Sequence, residues 1–136
     1  MSKIEEKEKT VRSSSEKREF GKELEKRTRK FAVRIIRLSA RLPNTPEGRV
    51  IRTQITKSGS SVGANYREAN RARSKADFRS KTNISESEAS ETQYWLEMVA
   101  DLEWLSWAEL KPDYEECSEL LAIFTSINKT NSQIRK

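Results

Sequence analysis

The chain has 136 residues, 34% of them hydrophobic and 35% charged, and 27 Lys and Arg against 21 Asp and Glu give a formal net charge of +6. One domain is expected at this length, and four glycines and three prolines leave too few turns for a β-sandwich, so the composition selects long amphipathic helices. No histidine and a single cysteine, Cys117, exclude an intrachain disulfide, a zinc cluster and Ser–His or Cys–His nucleophilic pairs.

Residues 1–18 are mostly Lys, Glu, Arg and Ser, with Ile4 and Val11 the only apolar side chains after Met1. Such a segment buries too little surface to hold itself together. It is expected as a charged, flexible arm, with the bundle proper over residues 19–128. No apolar stretch marks a signal peptide or a membrane span. A lone thiol fits a reducing interior, so a bacterial cytoplasmic location is expected.

The first helix is predicted from about Glu19 to Arg41. Leu24, Thr28, Phe31, Ile35, Leu38 and Leu42 step by four and three, a heptad-like seam. Ala32 and Ile36 widen it. The outer face carries Lys26, Arg29, Lys30, Arg34, Arg37 and Arg41, read either as a solvated face or as part of a phosphate-binding stripe. Leu42-Pro43-Asn44 turns, and Thr45-Pro46-Glu47 starts the next helix, with Thr45 as cap, Pro46 at the first position and Glu47 near the positive end.

The second helix is predicted to about Arg71 and holds the most telling stretch, Ile55 to Ala69. Taken alone, Ser58-Gly59-Ser60-Ser61 reads as a loop. Ile51, Ile55, Ser58, Val62, Tyr66 and Ala69, however, recur on one helical face. The residues Ser58, Gly59, Ser61, Gly63 and Ala64 then form a narrow face against which neighbouring backbones can press. A continuous, tightly packed helix is the expectation.

Ser74-Lys75-Ala76-Asp77 has the form of a capping box, and a third helix is predicted from there to about Leu110. Its first half is small: Ser85, Ser87, Ala89 and Ser90 can accept the narrow face of helix two. Glu88 and Glu91 can then meet Arg67 or Arg71. Its second half is apolar and holds Trp95, Trp104 and Trp107, for a subunit interface or for capping the end of the bundle. Lys111-Pro112-Asp113 is expected to break the helix. A fourth helix follows from about Asp113 to Asn128, with Tyr114, Cys117, Leu121, Phe124 and Asn128 on one face. Cys117 is a core residue in this reading. Residues 129–136 are expected as a polar tail.

The charge is segregated. Residues 1–81 hold 23 Lys and Arg against 10 Asp and Glu, and residues 82–136 hold 4 against 11. A basic half of net +13 and an acidic half of net −7 suit phosphate contact or docking between copies of the chain. Acid–base work by Glu88 and Glu91, spaced i, i+3, is weaker than a salt-bridge role. The run Lys57-Ser58-Gly59-Ser60-Ser61 lacks the order of a phosphate-binding loop and a preceding strand. Without histidine there is no Glu-x-x-His di-metal motif, and no DNA- or RNA-binding module is visible. No catalytic residue, metal site or cofactor is expected.

Several short motifs in a fixed order carry a resemblance over roughly residues 20–128. They are Leu42-Pro43, Gln54-Ile55, Ser58, Ser61-Val62-Gly63-Ala64-Asn65-Tyr66-Arg67-Glu68-Ala69, Ser74-Lys75-Ala76-Asp77-Phe78 and Ser87-Glu88-Ala89-Ser90-Glu91-Thr92. The chain resembles the four-helix-bundle proteins of the 23S rRNA intervening sequence, a family that includes accessory proteins of diversity-generating retroelements. The resemblance implies an all-α, antiparallel up-down-up-down four-helix bundle in a homopentameric ring with a basic surface. For retroelement members it further implies binding of nucleic acid (RNA or DNA) and of a reverse transcriptase; most other members have no established activity, and this chain by itself points to no reverse transcriptase partner. The long, charged arm departs from the usual family start. A nucleic-acid-binding accessory protein would use Lys57, Arg67, Arg71, Arg73, Lys75, Arg79 and Lys81, with Arg34 and Arg37 next, as phosphate contacts without sequence choice. The alternative is a protein-interaction scaffold whose basic and acidic halves pair between subunits.

Overall fold

The computed structural model describes residues 3–134, and side chains from Ser14 to Ser132. Four helices follow in order: α1 (Lys3–Ser39), α2 (Pro46–Asn70), α3 (Lys75–Asp101) and α4 (Trp107–Ile134). No strand occurs among the described residues.

The seam predicted for α1 is the core. Leu24, Thr28, Phe31, Ile35, Leu38 and Leu42 are all buried. They meet Ile51, Ile55, Val62 and Tyr66 of α2, Ala89, Leu96 and Val99 of α3, and Leu110, Cys117, Leu120 and Phe124 of α4 in one apolar cluster. Each large side chain there contributes about 1.5–3 kcal/mol on burial. Tyr66 and Phe124 stack edge to face at 5.4 Å, joining α2 to α4 through the centre.

Neighbouring helices meet in reversed residue order. On α1 and α2, Thr28 sits by Gly63 and Ile35 by Gly59. On α2 and α3, Ser58 pairs with Thr92 and Val62 with Ser85. On α3 and α4, Thr82 meets Asn128 and Gln93 meets Ser118.

The starts of α2 and α3 follow their sequence signals. Thr45 Oγ1 accepts from the Gly48 N–H at 3.0 Å with Pro46 next in line, and Ser74 Oγ accepts from the Asp77 N–H at 3.0 Å. Gly48 admits no side chain, because a Cβ there would stand 1.9 Å from the Pro43 carbonyl oxygen of the preceding turn.

Four boundaries differ from expectation. Helix α1 is already helical at Lys3, where an arm to residue 18 was expected; residues 1–2 and the side chains before Ser14 lie outside the described residues, and Ser14 to Phe20 are all exposed. Helix α4 runs on to Ile134, with residues 135–136 outside the described residues. Asn128, the expected end, donates to the Thr82 carbonyl and to Glu86.

The larger correction concerns α3, which stops at Asp101 rather than near Leu110. Glu103 adopts φ 57°, the Glu103 N–H donates to the Ala100 carbonyl, and the Trp104 N–H donates to the Val99 carbonyl. This is the double closure of a Schellman cap. Helix α4 then opens with a reciprocal capping box. The Glu109 N–H donates to Ser106 Oγ, and the Ser106 N–H donates to Glu109. Pro112 therefore lies inside α4, near its start, and not in a break. The three tryptophans are divided between α3 (Trp95), the connection (Trp104) and the first position of α4 (Trp107).

Candidate nucleic-acid interface

The glycine- and serine-dense stretch is helical throughout and packs on both sides. Ser58, Gly59 and Val62 are buried, and Ser61 and Gly63 are half-buried. Ser58 accepts from Thr92 Oγ1 at 2.9 Å, and Ser85 Oγ donates to the Val62 carbonyl at 2.8 Å. On the other side a Cβ on Gly59 would meet Ile35 at 2.7 Å, and one on Gly63 would meet Thr28 Oγ1 at 2.8 Å. Helix α3 receives this face through Ser85 and Thr92, with Ala89 buried between them in sequence, whereas Ser87 and Ser90 are exposed.

Because the helices close so tightly at Gly59 and Gly63, their polar side chains flank a trough instead of filling the contact. That trough is a groove of about 490 Å³ between α1 and α2. Its floor is small: Thr28, Ala32, Ser60, Gly63 and the exposed Ala64. Its rims carry Lys22, Lys26 and Arg29 from α1 and Arg67 and Arg71 from α2, all five exposed. Positions 22, 26 and 29 share one helical face, as do 67 and 71. Glu25 is the only carboxylate among the described residues that line it. None of the five cations forms an ion pair among the described residues.

The other basic face of α1 is spoken for. Arg27 holds Glu116 through Nε at 2.8 Å and Nη2 at 2.6 Å, and also reaches Glu119. Arg34 pairs with Asp113 at 2.7 Å and Arg41 with Glu109 at 2.5 Å. Two carboxylates on Arg27 hold its guanidinium pKa above the ordinary arginine value.

The cations read from the sequence are thus spread over several surfaces. Arg67 and Arg71 enter the groove. Arg73 and Lys75 are exposed at the α2–α3 turn, at the same end of α2. Arg79 lines a shallow depression of about 270 Å³ with Asn83, Asn128 and Asn131. Lys81 is half-buried on α3, and Arg37 is exposed on α1. Arg34 is committed to Asp113. Lys57 lies near Glu88 rather than in the groove. Burial raises the Glu88 pKa, the charge of Glu91 adds to this, and Lys57 opposes it. Neither Glu88 nor Glu91 pairs with Arg67 or Arg71. Of the other rim residues, Lys26 and Arg29 were read from sequence only as part of a face that is either solvated or phosphate-binding, and Lys22 was not singled out.

Cys117 is an inert core thiol: it donates to the Ala89 carbonyl at 3.2 Å, and burial pushes its pKa up to about 12. No cluster of three or more His, Cys, Asp or Glu that could hold a metal occurs among the described residues. No helix among them is long and apolar enough to cross a membrane.

Four helices around a single core, with a cation-rimmed trough where two of them close on glycine, define a small all-α protein. Over residues 22–126 the sequence matches the family model of the 23S rRNA-intervening sequence protein, and the chain belongs to that family. A protein of unknown function from the S23 ribosomal protein family of Bacteroides thetaiotaomicron VPI-5482, solved at 1.70 Å, is 39% identical, with 77% of this chain and 97% of that chain covered and a TM-score of 0.72. No curated protein matches the chain.

Proposed function

We propose that the chain is a non-enzymatic accessory protein that binds the phosphate backbone of RNA or DNA through the α1–α2 groove. One observation carries this reading: five solvated cations ring the groove without a salt-bridge partner among the described residues, while Arg27, Arg34 and Arg41 on the same α1 are neutralised by α4. A cleft in which one sign of charge predominates, here five cations to one carboxylate, concentrates polyanions. Arg73 and Lys75 extend the positive surface round the end of the bundle. The reading includes an antiparallel bundle, supported by the reversed contact order, and assembly of copies into a ring, for which the family resemblance speaks. Service beside a reverse transcriptase rests on that resemblance alone, and a bacterial cytoplasmic location on the lone thiol of Cys117.

The test is binding of a structured RNA at several salt concentrations. Affinity should fall steeply with salt, by about 0.7–0.9 per phosphate contact on logarithmic axes. The double variant Lys26→Glu/Arg67→Glu should lose at least tenfold while folding normally. Wild-type binding that is absent at micromolar protein, or unmoved by salt, defeats the reading.

A scaffold without nucleic-acid binding is the second reading. Val33, Ile36 and Val50 favour it, being 42%, 45% and 59% exposed. It predicts assemblies that loosen at high salt and retain no nucleic acid.

A further inference from the structure

Glu25 is out of place in a groove made for phosphates. Its carboxylate stands among Lys22, Lys26, Arg29, Arg67 and Arg71, yet it forms no ion pair with any of them. Instead Oε2 accepts from Asn70 Nδ2 of α2 at 2.9 Å. That amide fixes the carboxylate across the groove and leaves Oε1 without a hydrogen bond among the described residues. A negative charge there repels phosphate, so it lowers affinity for any strand lying in the groove unless it gains something else.

The lining says what that gain is. No aromatic side chain borders the groove, so it lacks the aromatic platform on which such surfaces usually hold bases. A strand that sets its phosphates on the cationic rims and turns its bases outward would bring its sugars to the floor. A carboxylate accepts hydrogen bonds and gives none. The donor that a sugar offers is the ribose 2′-hydroxyl, the group by which a protein tells RNA from DNA at a given site.

We propose that Glu25 makes the groove selective for ribose strands, accepting from a 2′-hydroxyl while the surrounding Lys and Arg hold the flanking phosphates. This rests on the groove reading given above, and it adds a preference that cations alone would not give. Asn70 is the positioning residue for the carboxylate.

The experiment measures binding of matched single strands of one sequence, as RNA, DNA and 2′-O-methyl RNA, at fixed ionic strength by fluorescence anisotropy. Wild-type protein should bind RNA about tenfold more tightly than the other two, the size of one charge-assisted hydrogen bond. In Glu25→Ala the ratio should collapse to near one. It should do so mainly because DNA affinity rises as the repulsion is removed, an effect that a merely structural role would not produce. Glu25→Gln, which keeps an acceptor, should retain part of the RNA preference. Equal affinity of the wild type for RNA and DNA, or a ratio unmoved by Glu25→Ala, overturns the proposal. If that happens while binding still falls with salt and with Lys26→Glu/Arg67→Glu, the groove reading survives. Binding of no strand defeats both.

Discussion

Toward α2, helix α1 offers Thr28 and Ile35 to two glycines, with would-be Cβ contacts at 2.8 and 2.7 Å. Toward α4 it offers Arg27, Arg34 and Arg41 to Glu116, Asp113 and Glu109 across the thinnest of the packed helix pairs. The first side is joined by shape, and its cations stay free. The second is joined by charge, and its cations are consumed. One helix therefore carries two basic faces of similar composition and opposite use. Lys26 and Arg27 are neighbours in sequence, yet one rims the groove and the other binds a carboxylate. Net charge alone would never separate them; the partner on each side does.

The comparison breaks most readily at Gly63. Ordinarily a helical glycine replaced by alanine gains ~1 kcal/mol. Here the new methyl would stand 2.8 Å from Thr28 Oγ1, 2.9 Å from its Cβ and 3.2 Å from its carbonyl carbon. The last of these is backbone, so α1 itself must shift. Overpacking of this kind costs about 1–3 kcal/mol. Gly63→Ala should lower the urea midpoint at unchanged m-value, and RNA affinity should fall with it as the rims move apart. A variant as stable as wild type would mean that shape does not hold this side.

The seam of α1 and the narrow face of α2 were legible because packing one face of a helix imposes three-and-four spacing on the residues themselves. The end of α3 was not. Its cap places a glutamate, Glu103, at φ 57°, where glycine or asparagine would have announced the stop. Pro112 looked like the break but lies near the start of α4, where the one forgone bond is to Ala108, and both residues are exposed. The groove was half legible. Arg67 and Arg71 were selected, Lys26 and Arg29 were left between a solvated face and a phosphate-binding stripe, and Lys22 was missed, since helical spacing does not reveal which neighbour a polar face looks at. A signal was present on the other helix. Glu109, Asp113 and Glu116 recur on one face of α4 in reverse order to Arg41, Arg34 and Arg27, and matching the two series would have removed the paired arginines and left the free lysines.

The charged side of α1 should yield a smaller effect. Arg27 is 37% exposed and its bidentate partner Glu116 is 16% exposed, so the pair is partly screened and worth about 1 kcal/mol. Arg27→Ala should cost about that much, less at high salt, and Glu116→Ala should show coupling of the same size in a double-mutant cycle. RNA affinity should barely change. Lys26→Glu should do the converse, losing affinity at nearly constant stability. If Arg27→Ala weakens RNA binding as much as Lys26→Glu does, the two faces of α1 are not functionally distinct.

The smallest effect sharpens the first. Gly21 lies on the same α1–α2 interface as the contact at Gly63, but near the far end of α2. A Cβ there would find the Asn70 amide at 3.6 Å and the Tyr66 hydroxyl at 3.7 Å, ordinary contact distances. Gly21→Ala should therefore gain up to ~1 kcal/mol, the full helical benefit of alanine. It also stiffens the backbone beside Asn70, which holds Glu25 in the groove, so RNA affinity should stay level or rise. The two substitutions make the same chemical change on one interface, and opposite signs are expected only because the helices touch at Gly63 and have room at Gly21. A loss of stability at Gly21 would place the closest approach of α1 and α2 at the wrong end of the groove, and with it the small-residue floor on which the free cations depend.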